Sequence, residues 1–117
     1  MKFYRFGKEV RKEITIFNSV GAGITPIIRN EDPMQVGCMH YDPEAVLGMH
    51  VAPCPQLLLV VSGKGWVRVE GQDPIDVETG TAVFWEEGEN HESGSDSGMT
   101  AIIIESGSLD PGRLLKE

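Results

Sequence analysis

The sequence predicts an all-β domain, a sandwich or barrel, on three observations. Apolar and polar residues alternate over short runs, as in Gln35 to Tyr41 and Trp66 to Glu70. Turn clusters rich in Gly and Pro separate those runs, at Asn30-Glu-Asp-Pro33, Asp42-Pro43 and Gly71-Gln-Asp-Pro74. No clear helix interrupts them, and many short strands without helices leave only sheet-on-sheet or closed-sheet solutions. The chain has 117 residues, a length that fits one domain and can bury roughly two thirds of its unfolded surface. No linker, internal repeat or low-complexity segment divides it.

The elements follow in order. Lys2 to Phe6 alternates and is aromatic, which reads as a strand. Ile14 to Val20 alternates too, with Ile14 and Ile16 on one face, and Gly21-Ala-Gly23 ends it as a bend or bulge. Ile24 to Arg29 resumes as a strand. In the strand from Gln35 to Tyr41, Val36, Cys38 and His40 share one face while Met39 and Tyr41 share the other. Gln56 to Ser62 is apolar almost throughout and is bounded by Pro53, Pro55 and Gly63, so it reads as a strand buried on both faces. Gly63-Lys-Gly65 reads as a hairpin turn. Trp66 to Glu70 follows, with Val67 and Val69 on one face, then a short strand from Ile75 to Glu78 and a turn at Thr79-Gly80. Thr81 to Trp85 and Met99 to Glu105 are two more strands. Ser93 to Gly98 is polar enough to read as a loop, and the tail, residues 106–117, has room for a turn of helix between Leu109 and Leu115.

Composition excludes several classes of function. The formal net charge is −8 and the pI about 4.8, which argues against nucleic acid, whose phosphates require clustered Lys and Arg. The densest basic run, Lys8 to Lys12, contains Glu9 and is followed by Glu13, the pattern of a solvated edge. No apolar run approaches the roughly 20 residues of a membrane helix, and the first residues lack the apolar core of a signal peptide. Cys38 and Cys54 have no metal-site spacing and read as reduced thiols of a cytoplasmic protein. A hydrophobic content of 40% supplies a core that folds without a staple.

The stretch from His50 to His91 carries what chemistry the sequence shows. Two short insertions, His50 to Gln56 and Gly80 to His91, interrupt this strand-rich region, and a closed sheet can bring His50, Gln56 and His91 to one point. The spacing of this stretch resembles that of the cupins. Their second motif is matched by Gly80, Gly88 and His91, with Glu86 where Pro is usual and Ser95 where Asn is usual. Their first motif is matched by His50 and Gly63, with Gln56 at the Glu position, Ala52 at the second His and Glu44 at the opening Gly. The motif region covers residues 48–95, and the flanking strands extend the resemblance over most of the chain.

The resemblance implies a single cupin domain, a double-stranded β-helix or jelly-roll barrel. The strands of residues 2–29 would pack on the barrel or at a dimer interface. By carry-over the ligands of a divalent metal ion (Fe, Mn, Ni or Zn) would be His50, Gln56 and His91. This set lacks an anionic donor, which weakens affinity and leaves positions open to water or substrate. The alternative is a metal-free pocket in which Gln56 donates to one imidazole and accepts from another. Trp85, Met49, Glu92 and His40 are further pocket candidates, and Glu86, Glu87 and Glu89 a candidate acidic rim. Cys54 has no cation close in sequence to activate it, so an inert thiol is expected.

Two classes of function follow from the resemblance. One is a metal-dependent enzyme of the dioxygenase, isomerase, decarboxylase or dehydratase kind. The other is a non-catalytic barrel that binds a small molecule. A homodimer is also expected, because the N-terminal strands carry apolar faces that need cover.

Overall fold

A computed structural model describes residues 1–117. Ten strands form in chain order: β1 (Lys2–Arg5), β2 (Lys12–Glu13), β3 (Gly23–Ile24), β4 (Gln35–Tyr41), β5 (Ala45–Val51), β6 (Gln56–Val69), β7 (Ile75–Glu78), β8 (Thr81–Trp85), β9 (Asn90–Ser95) and β10 (Met99–Glu105). All pairings are antiparallel. One face of the barrel has the order β1-β8-β6-β10-β4. The other is β7, the second half of β6, β9 and β5.

The long strand β6 joins the two faces and corrects one expectation. Gly63-Lys64-Gly65 is not a hairpin turn; the strand runs through it. Val61 is the extra residue of a bulge, since Thr100 pairs with Ser62 and Ala101 with Val60. Gly63 then takes a φ of 78°, a left-handed conformation open to glycine at no steric cost. Bulge and glycine together bend the strand out of one sheet and into the other, the device by which sandwich corners are turned. The true hairpin is the pairing of Lys64 to Val67 with Ile75 to Glu78.

The first half of β6 is buried on both faces, which accounts for its unbroken apolar run. Leu58 and Val60 point inward with Tyr41, Val67, Val77, Val83, Trp85, Met99 and Ala101. Leu57 and Leu59 point outward with Tyr4, Ala82 and Phe84, where Leu109 and Leu115 of the tail cover them and Ile27 and Ile28 pack alongside. Each such aliphatic side chain contributes about 1.5–3 kcal/mol when removed from water. The tail is therefore part of the core. A short 3-10 turn at Pro111–Arg113 is its only helical structure.

Three other expectations are corrected. Ile14 to Val20 forms no strand: Phe17 and Asn18 have φ of 60° and 55°, which reverses the chain between β2 and β3. Ile24 to Arg29 is strand only at its start, and Ile27 and Ile28 pack as extended chain without ladder partners. Ser93 to Gly98 is half strand, because the polar groups of β9 are satisfied inside. Ser93 Oγ bonds Tyr41 Oη at 2.9 Å, and Ser95 Oγ donates to the Lys64 carbonyl and accepts from Gly98 N–H. Gly94 lies under the Trp66 ring, where a Cβ would come within 2.5 Å of Cζ2. Small residues here mark close packing and not a loop. The strand β5 falls where the sequence reading assigned none.

Candidate functional site

The site is built by β5 and β9. His50 and His91 stand directly opposite each other in this pair. A bulge in β5 makes that possible. Leu47 pairs with Ser93 and His50 with His91, so three steps on β5 match two on β9. Without the extra residue, alternation from Leu47 would turn Met49 inward and His50 outward. With it, Leu47 and His50 both face the interior and Met49 does not line the cavity.

That cavity has a volume of about 90 Å³ and is lined by Met39, Tyr41, Leu47, His50, Gln56, Leu58, Trp85, His91, Ser93, Ile103 and Glu105. A larger cleft of about 460 Å³, which includes Lys64, Trp66, Asp76 and Glu78, is more open and contains no imidazole. The small cavity is the one where bases, an amide and an indole converge. Gln56 reaches it from the start of β6, directly opposite Trp85 on β8 and Glu105 on β10. The structure thus brings His50, Gln56, His91 and Trp85 to one hollow.

The other candidates lie elsewhere. His40 is exposed on the outer face of β4, since Met39 and Tyr41 take the inward positions. Glu92 alternates away from His91 and pairs with Arg68 across the strands. Glu86 and Glu87 are exposed, while Glu89 is tied to the Met1 amino group and the Glu86 N–H. Cys54 is an unactivated thiol: burial pushes its pKa up, and the carboxylates of Glu105 and Glu87 add to this.

Both imidazoles are locked through the same atom. His50 Nδ1 lies 2.7 Å from the Gly48 carbonyl, and His91 Nδ1 lies 3.1 Å from the Glu89 carbonyl. A carbonyl only accepts, so each Nδ1 carries the hydrogen and each neutral ring keeps its lone pair on Nε2. The Glu89 carbonyl also accepts from Ala52 N–H, and the Ala52 carbonyl accepts from Gly88 N–H. These bonds fasten the turn before His91 to the end of β5. Ala52, at the position of a second histidine in the resembled motif, is 1% exposed and serves this clamp.

The rings are close. His50 and His91 have centroids 4.4 Å apart at 53°, and Trp85 stacks on His91 at 4.2 Å and 23°. Burial holds the His91 pKa below the ordinary imidazole value, the neighbouring His50 adds to this, and the hydrogen bond to Glu89 opposes it. His91 is therefore a neutral base. Its flat stacking keeps the indole N–H out of its ring plane, and Trp85 Nε1 is buried without a hydrogen-bond partner. The Tyr41 phenol is pushed up by burial, so it stays protonated beside Ser93.

Sequence reasoning missed Tyr41, Ser93 and Glu105 as lining residues. The signal for Glu105 was available in the two-residue period of β10. Met99, Ala101 and Ile103 point inward, and Glu105 is next on that face. No three side chains drawn from His, Cys, Asp and Glu converge as a metal-holding group, so any cation here would also need the amide of Gln56. No helix is long and apolar enough to cross a membrane.

No protein-family model and no curated protein matches the chain. Solved structures do match. A cupin-like protein from Thermotoga maritima aligns at 25% identity and a TM-score of 0.61, over 63% of this chain and 57% of that one. An RmlC-like cupin from Shewanella frigidimarina aligns at 21% identity and a TM-score of 0.59, over 64% of this chain and 67% of that one. The polyketide cyclase RemF from Streptomyces resistomycificus aligns at 17% identity and a TM-score of 0.59, over 68% of this chain and 58% of that one. The aligned region thus spans little more than half of the first and third of these proteins. The bent strand shared by two antiparallel sheets, the inward pair of histidines and these likenesses identify the chain as a small domain of the cupin superfamily.

Proposed function

We propose that this domain binds a small oxygen-bearing molecule with the help of a divalent cation (Fe, Mn, Ni or Zn) held by His50 Nε2, His91 Nε2 and the amide oxygen of Gln56. One observation carries the reading: both rings spend their only hydrogen on main-chain carbonyls. Both rings line one cavity, and with each hydrogen spent neither Nε2 can donate to the other. Such a pair calls for a cation or an external donor between them. Main-chain anchoring of the distal ring nitrogen is also how metal-bound imidazoles are oriented.

The donor set fits a loosely held ion. Three neutral ligands leave several positions free, as an ion that works on a substrate requires, and they do not make a closed structural site. When bound, the cation would polarise the ligand's oxygen as a Lewis acid. The chain's own groups would do the rest. Trp85 Nε1–H offers a hydrogen bond to an acceptor on the ligand. Met39, Leu58 and Ile103 give the hollow an apolar lining, which strengthens polar contacts made against it. The same fold carries a cyclase in RemF, which supports chemistry at such a cavity by analogy of fold alone.

Thermal unfolding of chelator-treated protein with added divalent metals tests the proposal. An ion at a hundred times its dissociation constant stabilises the fold by about 2.7 kcal/mol, or roughly 10 °C for a domain of this size. His91→Ala should remove that shift. If no metal moves the midpoint, the cation reading is wrong. The metal-free alternative, with Gln56 donating to one Nε2 and a ligand bridging the other to the indole, would then stand.

We also propose a homodimer. The reversal between β2 and β3 holds Ile16, Phe17, Val20 and Ile24 in water, with Phe17 88% and Val20 95% exposed. Apolar side chains clustered on one projecting turn favour burial against a second copy.

A further inference from the structure

We infer that Glu105 is the anionic member of this site, the residue that offsets the charge of a cation held by three neutral donors. The inference rests on the cation-binding reading above and extends it to a residue outside the resembled motifs.

Gln56 carries no charge. It occupies the position at which the resembled motif carries Glu, and the exchange removes a negative charge from the donor set. Glu105 stands directly across from Gln56 in the pairing of β10 with β6. Side chains at opposed positions share a face, with Cβ atoms about 4.5–5.5 Å apart. Both line the cavity. The lost charge is thus present one strand away, pointing into the same hollow.

Glu105 also has no other employment. The ion pairs of the chain are Met1 with Glu89, Arg5 with Glu9, and Arg68 with Glu92. Glu105 is in none of them, although it is only half exposed to water and ends a strand of Met, Ala and Ile side chains. No ion pair of the chain neutralises it, and the residues beside it on the flanking strands, Gln35 and Gln56, are uncharged. Glu105 is therefore a charge-supplying residue; no contact between it and the ion is required.

Calorimetric titration of the chelator-treated full chain with Zn2+ alone tests this, with His91→Ala, Glu105→Gln, Glu105→Asp and Glu87→Gln alongside. Glu87 is an exposed carboxylate of the neighbouring loop, so Glu87→Gln makes the same change of net charge outside the cavity. Supporting carboxylates of metal sites change affinity by about 10–100-fold when removed. Glu105→Gln should weaken Zn2+ binding by that factor, Glu105→Asp should retain most of the affinity, and Glu87→Gln should leave it nearly unchanged. Circular dichroism of each metal-free variant checks that the barrel is intact. Equal affinities for Glu105→Gln and Glu87→Gln would overturn the assignment of Glu105 while leaving the cation reading in place. Absence of Zn2+ binding by the unaltered chain, or binding that survives His91→Ala, would overturn both.

Discussion

Acidification is the perturbation that probes the neutral state of His91 most simply. Its pKa is lowered from 6.5, chiefly because its ring is buried, with a further contribution from facing His50. In the unfolded chain the same imidazole takes up its proton near the ordinary value. Between the two values the unfolded state binds more protons than the folded state, so stability rises with pH. The contribution of a neutral His91 is complete above about pH 6.5 and is lost as pH falls from there through the folded value. One proton sets the steepest slope at about 1.4 kcal/mol per pH unit. With an unfolding entropy near 2.1 cal/mol/K per residue, that slope corresponds to about 6 °C per pH unit for this chain. The assay is thermal unfolding between pH 8 and 5 in the presence of chelator, for the unaltered protein and for His91→Gln. Carboxylates titrate alike in both, so the difference between the two midpoints isolates the imidazole. That difference should be constant above pH 7 and should shrink on acidification, by no more than this slope. A difference that stays constant to pH 5, or grows, would refute the claim that the fold excludes the imidazolium.

Two further outcomes follow from the backbone and the surface. Glu44 has a φ of 67° at the place where the resembled motif opens with Gly, and a side chain in the left-handed region costs about 1–2 kcal/mol. Glu44→Gly should therefore raise the denaturation midpoint slightly, by up to about 1 kcal/mol after the greater unfolded-state entropy of glycine is deducted; a lower midpoint in urea would contradict this. Light scattering at micromolar concentration should give twice the chain mass of 12.8 kDa, and Phe17→Ser with Val20→Ser should shift it toward the single chain; a monomer in both cases rules out the dimer.

Much of the fold was legible because alternation and burial are local properties of a strand. Met39 and Tyr41 were assigned to one face and His40 to the other, and the barrel keeps that division. Val67 and Val69 likewise share the inward face of β6. Where the reading failed, the deciding contact lay far away in sequence. Ser93 and Gly94 look like loop residues until Tyr41 supplies a hydroxyl and Trp66 a ring. Gly63 looks like a turn until pairing with β10 sets a bulge beside it in β6. Phe17 adopts a left-handed backbone that its side chain does not announce.

The candidate site divides in the same way. The spacing of His50, Gln56 and His91 drew attention to residues that one cavity now unites. Met49 was a candidate because the bulge at Gly48 and its consequence for parity are invisible without the partner strand. Glu92 and His40 were candidates on proximity in sequence, and alternation turns both away. Glu105 lies outside the motif region, although the parity of β10 points it inward.

The central claim is that His50 and His91 each carry their hydrogen on Nδ1 and present Nε2 to a shared cation. Long-range proton–nitrogen correlation spectra of histidine-labelled protein measure this directly, since the tautomer is read from the two ring nitrogens. The account expects both residues in the Nδ1–H form at pH 7.5, and both Nε2 resonances to move together as one equivalent of Zn2+ is added, with those of His40 unmoved. An Nε2–H tautomer at either residue, or a zinc response confined to His40, would contradict it.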